Sequence, residues 1–107
     1  MREVDLEVFA SELAEGAFAI DVREPDEYRA GHVPGVRPAP LCELGAHLPA
    51  LPADRLVYVI CASGNRSAWA AEHLEAAGVS AVSVAGGTSG WARTGRPIVR
   101  GTDARAA

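Results

Sequence analysis

With 107 residues, nearly half of them hydrophobic, the chain has the length of one domain and enough apolar side chains for one packed core. A net charge of −4 excludes nucleic acid and an acidic membrane surface as partners attracted to the chain as a whole. No apolar stretch approaches the roughly 20 residues of a membrane span, and Met1-Arg2-Glu3-Val4-Asp5 lacks the apolar core of a signal peptide, so the expected location is the cytosol.

In chain order, Glu3-Val4 reads as a short strand. Leu6, Phe9 and Leu13 recur at helical spacing before Gly16, which predicts an amphipathic helix over 5–15. Residues 17–22 are the next strand. Pro25 suits the first turn of a helix that runs to Ala30 and stops at Gly31, with Glu24, Asp26 and Glu27 near its positive end. His32 to Pro40 is a proline-rich connection with room for a short strand, and Leu41, Leu44 and Leu48 mark another helix, closed by Pro49 and Pro52. The apolar run 56–60 is a strand buried on both faces. A helix capped by Asn65 or Ser67 follows, burying Trp69, Ala70 and Leu74 and stopping at Gly78. Val79, Val82 and Val84 form the last strand. Gly86-Gly87-Thr88 is a loop, residues 89–93 a short helix with Trp91 in the core, and 101–107 a frayed tail. Short strands alternating with helices predict an α/β fold: one domain over 1–107, with a largely parallel central sheet flanked by helices and right-handed crossovers.

Chemistry concentrates in Cys61-Ala62-Ser63-Gly64-Asn65-Arg66-Ser67, between a buried strand and a helix. Parallel sheets bind ligands at the carboxyl ends of their strands, so Cys61 is expected to face a crevice. The N–H groups of Ala62 to Arg66 can curl around its sulfur, with Gly64 supplying permissive dihedrals. A thiol at a helix N-terminus near the Arg66 guanidinium should be held largely as thiolate. Arg66 can stabilise an anion or brace the loop. The side chains of Ser63 and Asn65 are ordinary turn residues. His32 sits in a turn as a hydrogen-bonded structural residue, His47 and His73 are solvated, and neither the histidines nor Cys42 has metal-ligand spacing. Cys42 stands at a helix start; a stand-in for a small polar residue outweighs a resolving thiol there.

The segment from Asp21-Val22-Arg23-Glu24-Pro25 to His32-Val33-Pro34-Gly35-Val36 resembles the first signature of rhodanese-like sulfurtransferases. Cys61 to Ser67 resembles their active loop, and Gly86-Gly87 with Gly90-Trp91 their closing motif. The three blocks stand in the family's order over residues 21–91. The resemblance implies a rhodanese-like domain in which Cys61 is the catalytic nucleophile, Ala62, Ser63, Gly64, Asn65, Arg66 and Ser67 bind the substrate sulfur, and Asp21 and Arg23 order the site. It further implies transfer of a sulfane sulfur from thiosulfate or a persulfide to a thiol or cyanide through a Cys61 persulfide, without metal or organic cofactor, with a sulfur-relay protein as a further partner. Ala62 and Ser63 are neutral where many thiosulfate-using relatives carry a basic residue, which counts against thiosulfate. Two alternatives stand beside this expectation. One is a sulfur-carrier or protein-interaction module with little turnover of small donors. The other is a cysteine-dependent phosphatase or arsenate reductase, whose loop carries one residue more than the four between Cys61 and Arg66.

Overall fold

A computed structural model of the chain describes residues 2–104. Strands β1 (Arg2–Val4), β2 (Phe18–Asp21), β3 (Arg37–Pro38), β4 (Val57–Ile60) and β5 (Ala81–Val84) form one sheet in the order β1-β5-β4-β2-β3, with every pairing parallel. The expected α/β class and parallel sheet are thus present. A parallel strand covered on both faces needs apolar side chains throughout, and all four residues of β4, Val57-Tyr58-Val59-Ile60, are buried.

Side chains alternate across the sheet and build two cores. On one face Val57, Val59 and Ala81 pack with Leu44, Ala70, Ala71 and Leu74. These helical residues come from α3 (Leu44–His47) and α4 (Asn65–Ala76). On the other face Tyr58, Ile60, Val82 and Val84 pack with Phe9 of α1 (Leu6–Ala14) and Trp91 of α5 (Gly87–Arg93). Phe9 has ring centroids 5.9 Å from Tyr58 and 5.7 Å from Trp91, so Trp91 is the core aromatic expected of it. Asp5 caps α1 by accepting a 2.8 Å hydrogen bond from the Val8 N–H. Helix α2 (Pro25–Ala30) begins with proline and a reciprocal Glu24–Glu27 capping box.

Five local expectations are corrected. The helix expected over 41–48 is a 3-10 turn (Leu41–Glu43), the single α turn of α3, and a second 3-10 turn (Leu48–Ala50) that contains Pro49. Neither Asn65 nor Ser67 caps α4; Gly64, in a left-handed conformation, holds the cap position without a side-chain bond. Helix α5 starts at Gly87, inside the expected loop. Trp69 is 56% exposed and stacks on His73 at the surface, because the buried stripe of α4 runs through Ser67, Ala70, Ala71 and Leu74, about half a helical turn away. His73 is exposed, and His47 is partly buried, 4.0 Å from the Glu43 carboxylate. The tail expected to be loose from Gly101 is hydrogen-bonded as far as Ala104: Gly101 N–H to Arg29 O, Asp103 O to His32 Nε2, and Ala104 O to the Gly35 N–H. Residues 105–107 of that tail lie outside the described residues. Among the described residues no helix is long and apolar enough to cross a membrane.

Candidate active site

Register places the site. Asp21 is the Cα partner of Ile60, and the Val22 N–H reaches Ile60 O at 3.0 Å, so β2 and β4 end side by side. Cys61 follows at the carboxyl end of β4. It does not open on a crevice as expected: the residue is 1% exposed and packs into the core beneath the loop backbone.

The loop turns sharply at Gly64, where φ is +113°, a value that suits glycine alone. That turn brings the Gly64 N–H to 3.1 Å and the Ser67 N–H to 3.3 Å from Cys61 Sγ, with Ser67 Oγ at 3.5 Å. Burial works against a charged sulfur. The Ser67 hydroxyl and the N–H groups of Ser67, Gly64 and Ser63 outweigh it, so the thiol is held below its ordinary value. The donors around the sulfur are therefore Ser63, Gly64 and Ser67 and not the whole ring from Ala62 to Arg66. Ala62 contributes its carbonyl, which accepts a 3.0 Å bond from the Ser89 N–H, and Asn65 is exposed at the first position of α4.

Arg66 is engaged by a carboxylate. Its Nη1 and Nη2 donate to Glu27 Oε1 and Oε2 at 2.8 and 3.0 Å, a two-pronged clamp between α4 and α2. The same clamp holds the Glu27 carboxyl down at about 2 and raises Arg66. Of the two roles open to it from sequence, the clamp fits the brace, and Arg66 also acts on the Cys61 sulfur through its charge.

Asp21 and Arg23 are buried together. The Asp21 carboxylate accepts from the Arg23 backbone N–H at 3.0 Å and from Nε and Nη2 at 2.9–3.1 Å, while Nη2 also donates to Gly31 O at 2.7 Å. No hydrogen bond among the described residues joins this pair to the sulfur. The pair spans α2, the helix that carries Glu27, from Arg23 before its first turn to Gly31 at its end. His32, fully buried, bonds through Nδ1 to Tyr28 O at 2.8 Å and stacks on the Tyr28 ring, the structural role expected of it. Cys42 is exposed on the first 3-10 turn, and both cysteines are free thiols.

Two contributors escaped the sequence reading, and a third, Gly87, stood there only as part of the closing motif. Glu27 was visible only as an acid at a helix start. Ser83, a lone hydroxyl in the apolar strand β5, has its Oγ 2.7 Å from Ser67 Oγ. Gly87 packs against the start of the loop: a Cβ there would lie 2.4 Å from Cys61 O and 2.5 Å from Ala62 O. This close approach lets Thr88 and Ser89 donate to those two carbonyls at 2.8 and 3.0 Å.

Comparison with known proteins gives the same result throughout. The family model described as rhodanese-like domain matches residues 5–94. The chain is 34% identical to a sulfurtransferase of Allochromatium vinosum over 102 residues, 92% of this chain and 95% of that protein. It is 36% identical over 92 residues to a candidate sulfur carrier protein of Bacillus subtilis, covering 83% of this chain and 50% of the relative. Among solved structures, a rhodanese-related protein of Thermoplasma volcanium superposes with a TM-score of 0.82 at 35% identity, over 92% of this chain and 98% of that one.

Proposed function

This chain belongs to the rhodanese-like domain family, and from that premise we propose that it is a sulfurtransferase that carries a sulfane sulfur on Cys61. The observation behind this reading is the Cys61 sulfur itself, at the end of β4, receiving the Gly64 and Ser67 N–H groups at 3.1 and 3.3 Å. Such donors stabilise thiolate and, after loading, an anionic outer sulfur, as an oxyanion hole stabilises developing charge.

In the first half-reaction the Cys61 thiolate attacks the sulfane sulfur of the donor. A new S–S bond forms, the donor's bond to that sulfur breaks, and the donor leaves with the bonding pair. In the second, an acceptor thiolate or cyanide attacks the outer sulfur, and Cys61 leaves as thiolate. The acceptor departs as a persulfide or as thiocyanate. Ala62, Ser63, Gly64, Asn65, Arg66 and Ser67 form the loop that receives the outer sulfur; Asp21 and Arg23 hold that loop through α2. The donor is thiosulfate or a persulfide. Neutral Ala62 and Ser63 favour the persulfide, and the Bacillus relative designated a candidate sulfur carrier supports a protein partner in the relay. A free thiol at Cys61 suits a reducing compartment such as the cytosol.

The test is intact-mass analysis after exposure to thiosulfate and to glutathione persulfide, followed by peptide mapping. One extra sulfur on Cys61, removed by cyanide, is the expected result. Full sulfur transfer by Cys61→Ala, with loss in Cys42→Ser, would overturn the assignment.

A further inference from the structure

Strand β5 reads Ala81-Val82-Ser83-Val84. Val82 and Val84 face α1 and α5, whereas Ala81 and Ser83 face α4. Ser83 is fully buried, and a hydroxyl there is costly unless paired. Its partner is Ser67 Oγ at 2.7 Å. Ser67, also fully buried, has its oxygen 3.1 Å from Gly64 O and 3.5 Å from Cys61 Sγ.

Counting protons orders this cluster. Ser67 has one hydroxyl proton and three neighbours able to take it. Gly64 O does not depend on it, because the Ala68 N–H already reaches that carbonyl at 3.1 Å. When Cys61 is a thiol, its S–H faces Ser67 Oγ. When Cys61 is a thiolate the sulfur can only accept, so the Ser67 O–H must turn to it and the Ser67 oxygen is then open to a donor. Ser83 is placed to be that donor.

We propose that Ser83 is a positioning residue for Cys61: its hydroxyl donates to Ser67 Oγ and thereby commits the Ser67 O–H to the sulfur. The inference rests on Cys61 being the reactive thiol and extends the site across the sheet to a third strand. Charged groups around the cluster do not substitute for it. Arg66 on α4 is held by Glu27 of α2, Asp21 and Arg23 at the end of β2 hold each other, and Glu3, the Cα partner of Ser83 on β1, is exposed.

The experiment is the pH profile of Cys61 alkylation by iodoacetamide, a neutral reagent, read at Cys61 by peptide mass. In Ser83→Ala the midpoint should rise by about half to one pH unit, slowing alkylation below it by about three- to tenfold, the effect of losing the one neutral hydrogen bond that orients the Ser67 hydroxyl. Ser83→Thr keeps the hydroxyl and should return the parent midpoint. In a Ser67→Ala background, Ser83→Ala should move nothing further, since its action runs through Ser67. A folded Ser83→Ala whose profile overlays the parent, a folded Ser83→Thr that titrates like the alanine variant, or an equal shift with Ser67 absent would each overturn the proposal. Alkylation needs no sulfur transfer. A shifted midpoint in a protein that never loads sulfur would leave Ser83 in place and remove the sulfurtransferase reading; normal loading with no shift would do the reverse.

Discussion

Gly87→Ala is the most demanding test of how the loop is held, because it adds one carbon where the backbone of the loop already sits. The new Cβ would lie 2.4 Å from Cys61 O, 2.5 Å from Ala62 O and 2.6 Å from Ala62 C, and all three are backbone atoms with no rotamer to yield. The Cys61–Ala62 peptide must therefore retreat by nearly an ångström. Forcing a methyl group into packed backbone costs about 1–3 kcal/mol. The φ of +57° adds roughly 1–2 kcal/mol for a residue with a side chain. Stretching the Thr88 and Ser89 hydrogen bonds to the two carbonyls removes about 1 kcal/mol each. A loss of about 4–7 kcal/mol is expected, a large share of the 5–15 kcal/mol that usually holds a domain together. Gly95→Ala is the control, since φ is +80° there and nothing lies within 4 Å of its Cβ, so only the backbone penalty applies. Urea unfolding of both variants at pH 7 measures the difference. Cys61 alkylation in the folded fraction then reports whether the loop has lost its hold on the sulfur. Equal stability losses for Gly87→Ala and Gly95→Ala would refute the close-packing argument.

Three further outcomes follow from the geometry around the loop. Glu27→Gln should cost about 1 kcal/mol at pH 7: a carboxyl lowered from 4.5 to about 2 corresponds to roughly 3 kcal/mol at face value, and solvent screening reduces this because both Glu27 and Arg66 side chains are 36% exposed. Because the folded value is depressed, that stability is present above pH ~4.5 and lost as pH falls towards ~2; urea melts in which parent and variant stay equally far apart at pH 7 and pH 2.5 would contradict it. Asp21→Asn leaves the Arg23 guanidinium buried without its counter-charge and should lose about 3–5 kcal/mol while retaining residual sulfur loading of Cys61; complete loss of loading in an equally stable protein would make the carboxylate a reacting group. Aryl phosphate hydrolysis should be negligible, because the loop has four residues between Cys61 and Arg66; a robust rate abolished by Cys61→Ser would restore the phosphatase alternative.

The parts of this molecule that could be read from sequence are those whose cause is local. Val57 to Ile60 is apolar throughout because both faces of β4 are covered, and Gly64 is glycine because the loop needs φ of +113° there. What escaped depends on partners far along the chain. Arg66 meets Glu27 at a separation of 39 residues, and Ser67 meets Ser83 at 16, so no local pattern separates a clamp from a free cation or a structural serine from an oriented one. Trp69 is a different kind of error. Ala70 and Leu74 are buried as helical spacing predicts, but the stripe that packs is 67, 70, 71 and 74 and leaves 69 outside, and small residues, not the largest one, let α4 lie close against β4 and β5.

That close approach also explains why a buried cysteine can be reactive here. Deep burial alone would hold Cys61 as a neutral thiol, and the nearby charged groups Asp21, Arg23, Glu27 and Arg66 are hydrogen-bonded to one another or to backbone and not to the sulfur, Arg66 acting on it through charge without a hydrogen bond. The main opposing effect comes from fixed dipoles: N–H groups held by the turn at Gly64 and a hydroxyl held by α4. Dipoles of this kind stabilise an anion only while their orientation is maintained, which ties reactivity to packing. Small residues on α4 bring Ser67 against β5, Gly87 lets α5 hold the first two loop carbonyls, and the Arg66–Glu27 clamp fixes the helix from outside. A substitution that loosens any of the three should therefore slow alkylation of Cys61 without touching the sulfur, whereas a substitution that only changes surface charge, such as Glu72→Gln on the exposed face of α4, should leave the rate where it was.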